Sequence, residues 1–169
     1  MKKLFLDLDG VLINTNKYIQ KAINNSNDDI SIKEVFVELC KSFPWHDFLN
    51  NCKEINNSFK LIKELNKIYD LTIITHFYSL SEEKLKIDFI TNKFKGIKYI
   101  TVPFEKKKNE IVNAKNCILV DDYYANIENW NKSGGIGLFF SNKTTKKIMT
   151  INNLRLLLDY KFIERIESK

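Results

Sequence analysis

Cysteine is scarce: Cys40, Cys52 and Cys117 are the only three in 169 residues, and they share no CxxC spacing. An odd number without metal-ligand spacing argues against both a zinc site and a disulfide framework, and implies a reduced, cytosolic setting. No apolar run is long enough to span a bilayer. Lysines ahead of the first apolar run imitate a secretion signal, but Asp7 and Asp9 interrupt that run early and no small-residue cleavage site follows. No internal repeat is present, and no GxGxxG or GxxxxGK pattern follows an apolar run, which excludes the familiar phosphate-cradling glycine loops. Acidic residues are in deficit, 21 against 27 Lys and Arg, for a formal charge of +6. The lysines are scattered among Asn and Ile, so the excess reads as a compositional bias, and a nucleic-acid partner is not favoured.

What the chain does contain is five short apolar runs: KLFLDLD (3–9), LTIITHF (71–77), KYITVPF (98–104), NCILVDD (116–122) and GIGLFFS (135–141). Each is too short for a helix and too uniformly apolar for a one-sided sheet, so each predicts a strand buried on both faces. The segments NSFKLIKELNKIYD, SEEKLKIDFITNKF, KKKNEIVNAK and ANIENWNKSG between them have helical spacing, the first with a stripe of Phe59, Ile62, Leu65 and Ile68. Strand and helix in alternation predict an α/β fold: a Rossmann-like parallel sheet with helices on both faces. Residues 1–13 and 57–169 would form this core.

Residues 14–56 are far too long for an ordinary connection and predict a small helical cap inserted after the first strand. Its pieces are NTNKYIQKAINN, SIKEVFVELCKSF with Ser31 and Glu34 at capping-box spacing, and HDFLNNCKEI. NLRLLLDYKFIERI at the end of the chain predicts one amphipathic helix, and Gly134 with Gly135 predicts a helix stop before the last strand.

Ligands in such sheets bind beyond the carboxyl ends of the strands. There the first strand delivers Asp7 and Asp9, two residues apart and hence on one side, followed by Gly10 for a tight turn. The second delivers Thr75 and His76. A later strand delivers Asp121 and Asp122, and Lys106, Lys107 and Lys108 precede it by one helix. Each feature has a plainer reading alone: loop-edge carboxylates, a strand threonine, a solvated helix start, an N-cap pair.

Taken in this order, DLDG at Asp7–Gly10, LTIIT ending at Thr75, a lysine of KKK, and ILVDD ending at Asp121 and Asp122 resemble the motifs of the haloacid dehalogenase superfamily of phosphatases. The resemblance covers most of the chain. The helical insertion and ILVDDYYANIENWNKSGGIGLFF look most like its 5′(3′)-deoxyribonucleotidase branch, which removes phosphate from nucleoside monophosphates. It implies a magnesium-dependent phosphomonoesterase whose metal is held by Asp7, the backbone carbonyl of Asp9, and Asp121 or Asp122; oxygen donors suit that ion. Asp7 would be the nucleophile, giving an aspartyl phosphate, and Asp9 the proton carrier. Thr75 would hold a phosphoryl oxygen and Lys108, with Lys107 as second choice, would neutralise its charge. His76 would stand beside the substrate, or be a histidine satisfied by backbone. Phe43 and Trp45 of the cap would stack on a nucleobase, or pack the cap's own core. The same catalysis on a sugar phosphate or a phosphorylated nucleic-acid end is the enzymatic alternative. A phosphoacceptor signalling domain is disfavoured by motif order, and a degenerate binding module by the presence of every catalytic residue type.

Overall fold

The computed structural model describes residues 1–15, 32–145 and 147–168. Six strands, β1 (Lys3–Leu6), β2 (Asp70–Phe77), β3 (Lys98–Pro103), β4 (Ile118–Asp121), β5 (Ile136–Phe140) and β6 (Thr150–Ile151), form one sheet in the order β3-β2-β1-β4-β5-β6. All neighbouring pairs are parallel, with Leu4 opposite both Leu71 and Ile118. The predicted α/β fold is the observed one.

Alternation along each strand explains the two buried faces. Leu4, Leu6, Leu71, Ile73, Ile118 and Val120 join an apolar cluster with Leu61, Ile62 and Leu65 of α3 (Ser58–Leu65) and with the C-terminal Leu154, Leu157, Phe162 and Ile166. Phe5, Ile74 and Leu119 pack the opposite way, onto Ile127 and Trp130 of α6 (Tyr124–Lys132). Each fully buried side chain of this kind stabilises the fold by about 2 kcal/mol before entropy is counted. Trp130 also donates its indole N–H to the Cys117 carbonyl at 3.0 Å, and a Cβ at Gly135 would lie 2.4 Å from its ring.

The insertion contributes α1 (Ile32–Ser42) and α2 (Trp45–Asn51), the latter packed on α4 (Leu80–Lys93). Trp45, Phe48 and Leu49 belong to the same cluster as the sheet face, so this part of the insertion shares the domain's core. Its two stems are laced together: Asn14 donates its N–H to the Lys53 carbonyl at 3.1 Å, Ile55 to Leu12 at 3.0 Å, and the Ser58 hydroxyl to Leu12 at 2.6 Å. The expected helix in NTNKYIQKAINN, from residue 16 onward, and the Ser31–Glu34 capping box lie outside the described residues.

Four expectations need correction. The α3 stripe is Ser58, Leu61, Ile62 and Leu65; the helix stops at Leu65, where the Asn66 N–H turns back to the Ile62 carbonyl, and Ile68 is 49 % exposed. The lysine-rich segment yields only α5 (Lys108–Ile111), because Val112 is already extended. The C-terminal segment is not one helix: a 3-10 turn (Leu154–Leu158) is followed by α7 (Tyr160–Glu167), whose N-cap Asp159 accepts the Lys161 N–H at 2.9 Å. Between β5 and that turn lies β6, a strand too short to leave an apolar run.

Candidate active site

The site lies where β1 and β4 run side by side and connections diverge to opposite faces, the position at which open α/β sheets bind ligands. Asp7 continues the β1–β4 ladder, its N–H reaching the Val120 carbonyl at 3.0 Å. Gly10, at φ 73°, then reverses the chain, as a residue without Cβ does readily; the N–H groups of Leu12 and Ile13 both return to the Leu8 carbonyl at 3.0 Å. The turn leaves Asp7 and Asp9 in two different electrostatic settings, each with its own buried lysine.

Around Asp7, the Lys108 ammonium, 1 % exposed, is 2.9 Å from Asp7 Oδ1 and 2.6 Å from Asp121 Oδ2. Asp7 Oδ1 also accepts the Leu8 N–H at 2.9 Å. Asp121 is fixed further by the Tyr123 N–H at 2.8 Å and the Asn126 side-chain amide at 2.9 Å. Ligand oxygens of Asp7, Asp121 and Asp122 all fall within 4.8 Å of one another. At about 4 Å two like charges repel by roughly 4 kcal/mol even at an effective dielectric near 20. One ammonium therefore does not neutralise three carboxylates. Burial, against the pull of Lys108 and with the help of repulsion from Asp121, Asp9 and Asp122, holds the Asp7 carboxyl well above its usual range. Lys108 is pushed up despite its burial, by Asp121 and Asp7.

Around Asp9 the balance is reversed. Lys86, also 1 % exposed, reaches Asp9 Oδ2 at 2.6 Å, Glu82 Oε1 at 2.7 Å and the His76 carbonyl at 2.8 Å. Thr15 donates to Asp9 Oδ1 at 2.7 Å and Thr75 to Oδ2 at 3.1 Å. Burial raises the Asp9 carboxyl, but Lys86 and the two hydroxyls outweigh it, and its pKa is lowered. Glu82 is held up by burial against Lys86; its Oε2 accepts the Tyr78 N–H at 2.8 Å, while Oε1 faces the Lys86 ammonium at 2.7 Å.

Asp7, Asp9, Thr75, Lys108 and Asp121 are thus brought together, with Asp122 half-buried beside them. The Asp9 carboxylate is not in the three-oxygen group; it is turned to Lys86. Lys107 is exposed at the N-cap of α5, where its N–H meets Glu110 at 3.2 Å. His76 donates Nε2–H to the Lys106 carbonyl at 3.0 Å, and burial and the Lys108 charge press its pKa down to about 4. Trp45 is 4 % exposed, edge-on to Phe43 and Phe48, with Lys86 4.3 Å from its ring centroid; Phe43 is half-buried. Sequence reasoning missed Lys86, Glu82 and Thr15. The available signal was the spacing Glu82, Lys86, Ile90, which puts two charged residues on one helical line with an apolar one, but Glu and Lys four apart ordinarily mark a solvated face.

Neither a protein-family model nor a curated protein matches the chain. Solved structures do, and they share the haloacid dehalogenase-like fold. A haloacid dehalogenase-like hydrolase from Streptococcus pneumoniae has 14 % identity and a TM-score of 0.65, covering 94 % of this chain and 97 % of its own. A HAD-hydrolase, YfnB from Bacillus subtilis, solved bound to magnesium, has 15 % identity and a TM-score of 0.61, over 92 % and 96 %. D,D-heptose 1,7-bisphosphate phosphatase from Burkholderia thailandensis has 12 % identity and a TM-score of 0.56, over 100 % of both chains. At these identities the likeness is one of fold.

Proposed function

We propose that this chain is a magnesium-dependent phosphomonoesterase acting through an aspartyl phosphate on Asp7, with nucleoside monophosphates as its substrates. The observation that carries the reading is the convergence of the Asp7, Asp121 and Asp122 oxygens within 4.8 Å at the ends of β1 and β4, with Lys108 wedged between Asp7 and Asp121. The donor set fits the ion: three hard carboxylate oxygens with a negative charge that a single lysine leaves uncompensated. When bound there, with the backbone carbonyl of Asp9 completing the protein ligands, magnesium supplies positive charge against the phosphoryl oxygens.

In this reading the Asp7 carboxylate forms a new oxygen–phosphorus bond as the ester bond breaks. The electron pair of that bond stays on the leaving oxygen, which takes its proton from the Asp9 carboxyl, in the fraction of the enzyme whose Asp9 is protonated against the pull of Lys86. A water then surrenders its proton to Asp9 and attacks the phosphorus, releasing inorganic phosphate and restoring Asp7. Lys108 and Thr75 hold the phosphoryl oxygens, and one difficult displacement becomes two easier ones. Phe43, the least buried of the three packed cap rings, is the ring assigned to the base.

The nucleotide assignment is supported by the likeness of ILVDDYYANIENWNKSGGIGLFF to the deoxyribonucleotidase branch. The fold neighbour named as a heptose bisphosphate phosphatase favours the second reading, a sugar phosphate. Phosphate release from a panel of nucleoside monophosphates, sugar phosphates and 5′- and 3′-phosphorylated oligonucleotides, with and without magnesium, decides between them. Preference for nucleoside monophosphates is expected; preference for another member of the panel overturns the substrate, and inertness of the folded protein toward all of them overturns the chemistry.

A further inference from the structure

We propose that Lys86 is a positioning residue, which clamps the Asp9 carboxylate in place for proton transfer and fastens the seat of the insertion to it through Trp45. The proposal rests on the phosphatase reading above. Lys86 comes from the middle of α4, a helix that carries none of the motif residues, yet the residue is 1 % exposed and its ammonium has four partners among the described residues. Three are oxygens: Asp9 Oδ2 at 2.6 Å, Glu82 Oε1 at 2.7 Å and the His76 carbonyl at 2.8 Å. The fourth is the Trp45 ring, 4.3 Å away.

A lysine confers nothing on a helix at this depth that leucine would not, and desolvating an ammonium is expensive unless its partners repay it. The partners form a chain with direction. Glu82, one turn earlier on α4 and fully buried, meets Lys86 with Oε1 at 2.7 Å, its one partner among the described residues, and so supplies charge that lets a lysine stay there. The His76 carbonyl fixes the ammonium relative to the end of β2. The remaining contacts point outward from α4, one to Asp9 and one to α2. With Thr15 on Oδ1 and Thr75 on Oδ2, Lys86 removes the rotation of the Asp9 carboxyl about its Cβ–Cγ bond. Trp45 is itself held, its indole N–H donating to the Cys40 carbonyl at 2.8 Å, so a shift of α2 relative to α4 is felt at Lys86 and, through it, at Asp9.

A positioning role predicts dependence on the leaving group, which a merely structural role does not. An alkoxide needs its proton delivered; a nitrophenolate of low basicity does not. K86M should lower kcat by about 100-fold for a nucleoside monophosphate or alkyl phosphate, and by less than about 5-fold for 2,4-dinitrophenyl phosphate, at unchanged magnesium requirement. W45L, which removes the ring and leaves every charge, should move the same ratio in the same direction by about 5-fold. Should K86M fail to fold, E82Q/K86M removes one charge of each sign and is read by the same ratio. Equal losses on both esters, or no loss on either, overturn the proposal while leaving the phosphatase reading intact. A folded wild-type protein inert toward both esters overturns that reading and this proposal with it.

Discussion

Two buried lysines divide the candidate site between them, and their surroundings differ in one respect. Lys108 and Lys86 are equally buried, and each bridges two carboxylates at 2.6–2.9 Å. Beside Lys108 stands a third acid, Asp122, with its oxygen inside the same 4.8 Å group; beside Lys86 the further partners are hydroxyls, a carbonyl and an aromatic face. With its acids ionised, the first cluster is short of two positive charges and the second of one. The two carboxyls respond in opposite directions, Asp7 raised by burial and its acidic neighbours, Asp9 lowered by Lys86 and the threonines in spite of burial. Residues two apart in sequence thus stand in opposite electrostatic surroundings, which the proposed reaction would use for two different tasks.

The sharpest way to break this division is to exchange Asp7. D7N keeps the size and loses the nucleophile, and should cost about 10⁴-fold or more in kcat on every ester, activated or not, measured by phosphate release. Turnover near the wild-type rate would end the assignment. K108M should cost about 10³-fold in kcat, again irrespective of leaving group, because in the proposed reaction its charge serves the phosphoryl oxygens. A leaving-group dependence there, like that predicted for Lys86, would mean that the two lysines do not divide the work as described.

Metal binding separates the clusters more finely. Magnesium should raise the melting temperature of the wild-type protein, because a ligand held only by the folded state stabilises it. D122N should weaken the apparent magnesium affinity by about tenfold, read as the shift in the concentration dependence of that rise, while E82Q should leave it unchanged. Equal effects would dissolve the distinction.

The smallest effect concerns His76, which touches Lys86 through its carbonyl and feels Lys108 through its ring. Unfolded, the ring takes up a proton near pH 6.5; folded, it resists until about pH 4. Between those values the unfolded state binds more protons, so this contribution to stability is complete above pH 6.5 and is lost as the pH falls toward 4. It amounts to at most about 3 kcal/mol, less for a ring that is partly exposed. H76Q should flatten the slope of stability against pH in that window, measured by urea unfolding; an unchanged slope would mean the ring is solvated.

The core was legible because strands buried on both faces leave short apolar runs that few other structures produce, and β1, β2, β3, β4 and β5 appear within a few residues of those runs. Asp7, Asp9, Thr75 and Asp121 were legible for a related reason: the carboxyl end of a parallel strand is where the chain leaves the sheet, and polar residues there stand out against the run before them. Among the three adjacent lysines the choice was open, since a four-residue helix can bury any one of them according to its phase; the fold turns Lys108 inward and leaves Lys107 exposed. Lys86 and Glu82 look like an ordinary surface pair, and nothing in their local spacing says that α2 will cover them.

By itself, the sequence determined the α/β class, the parallel pairing and the placing of acids at strand ends, because these follow from hydrophobic period and from where each run stops. Only the tertiary structure decided which lysine meets which aspartate, that Trp45 lies over an ammonium, and that Asp7 and Asp9 stand in opposite electrostatic environments. Such contacts join residues up to 101 positions apart, as Asp7 and Lys108 are, and their energies depend on distance and burial, quantities that exist only once the chain has folded.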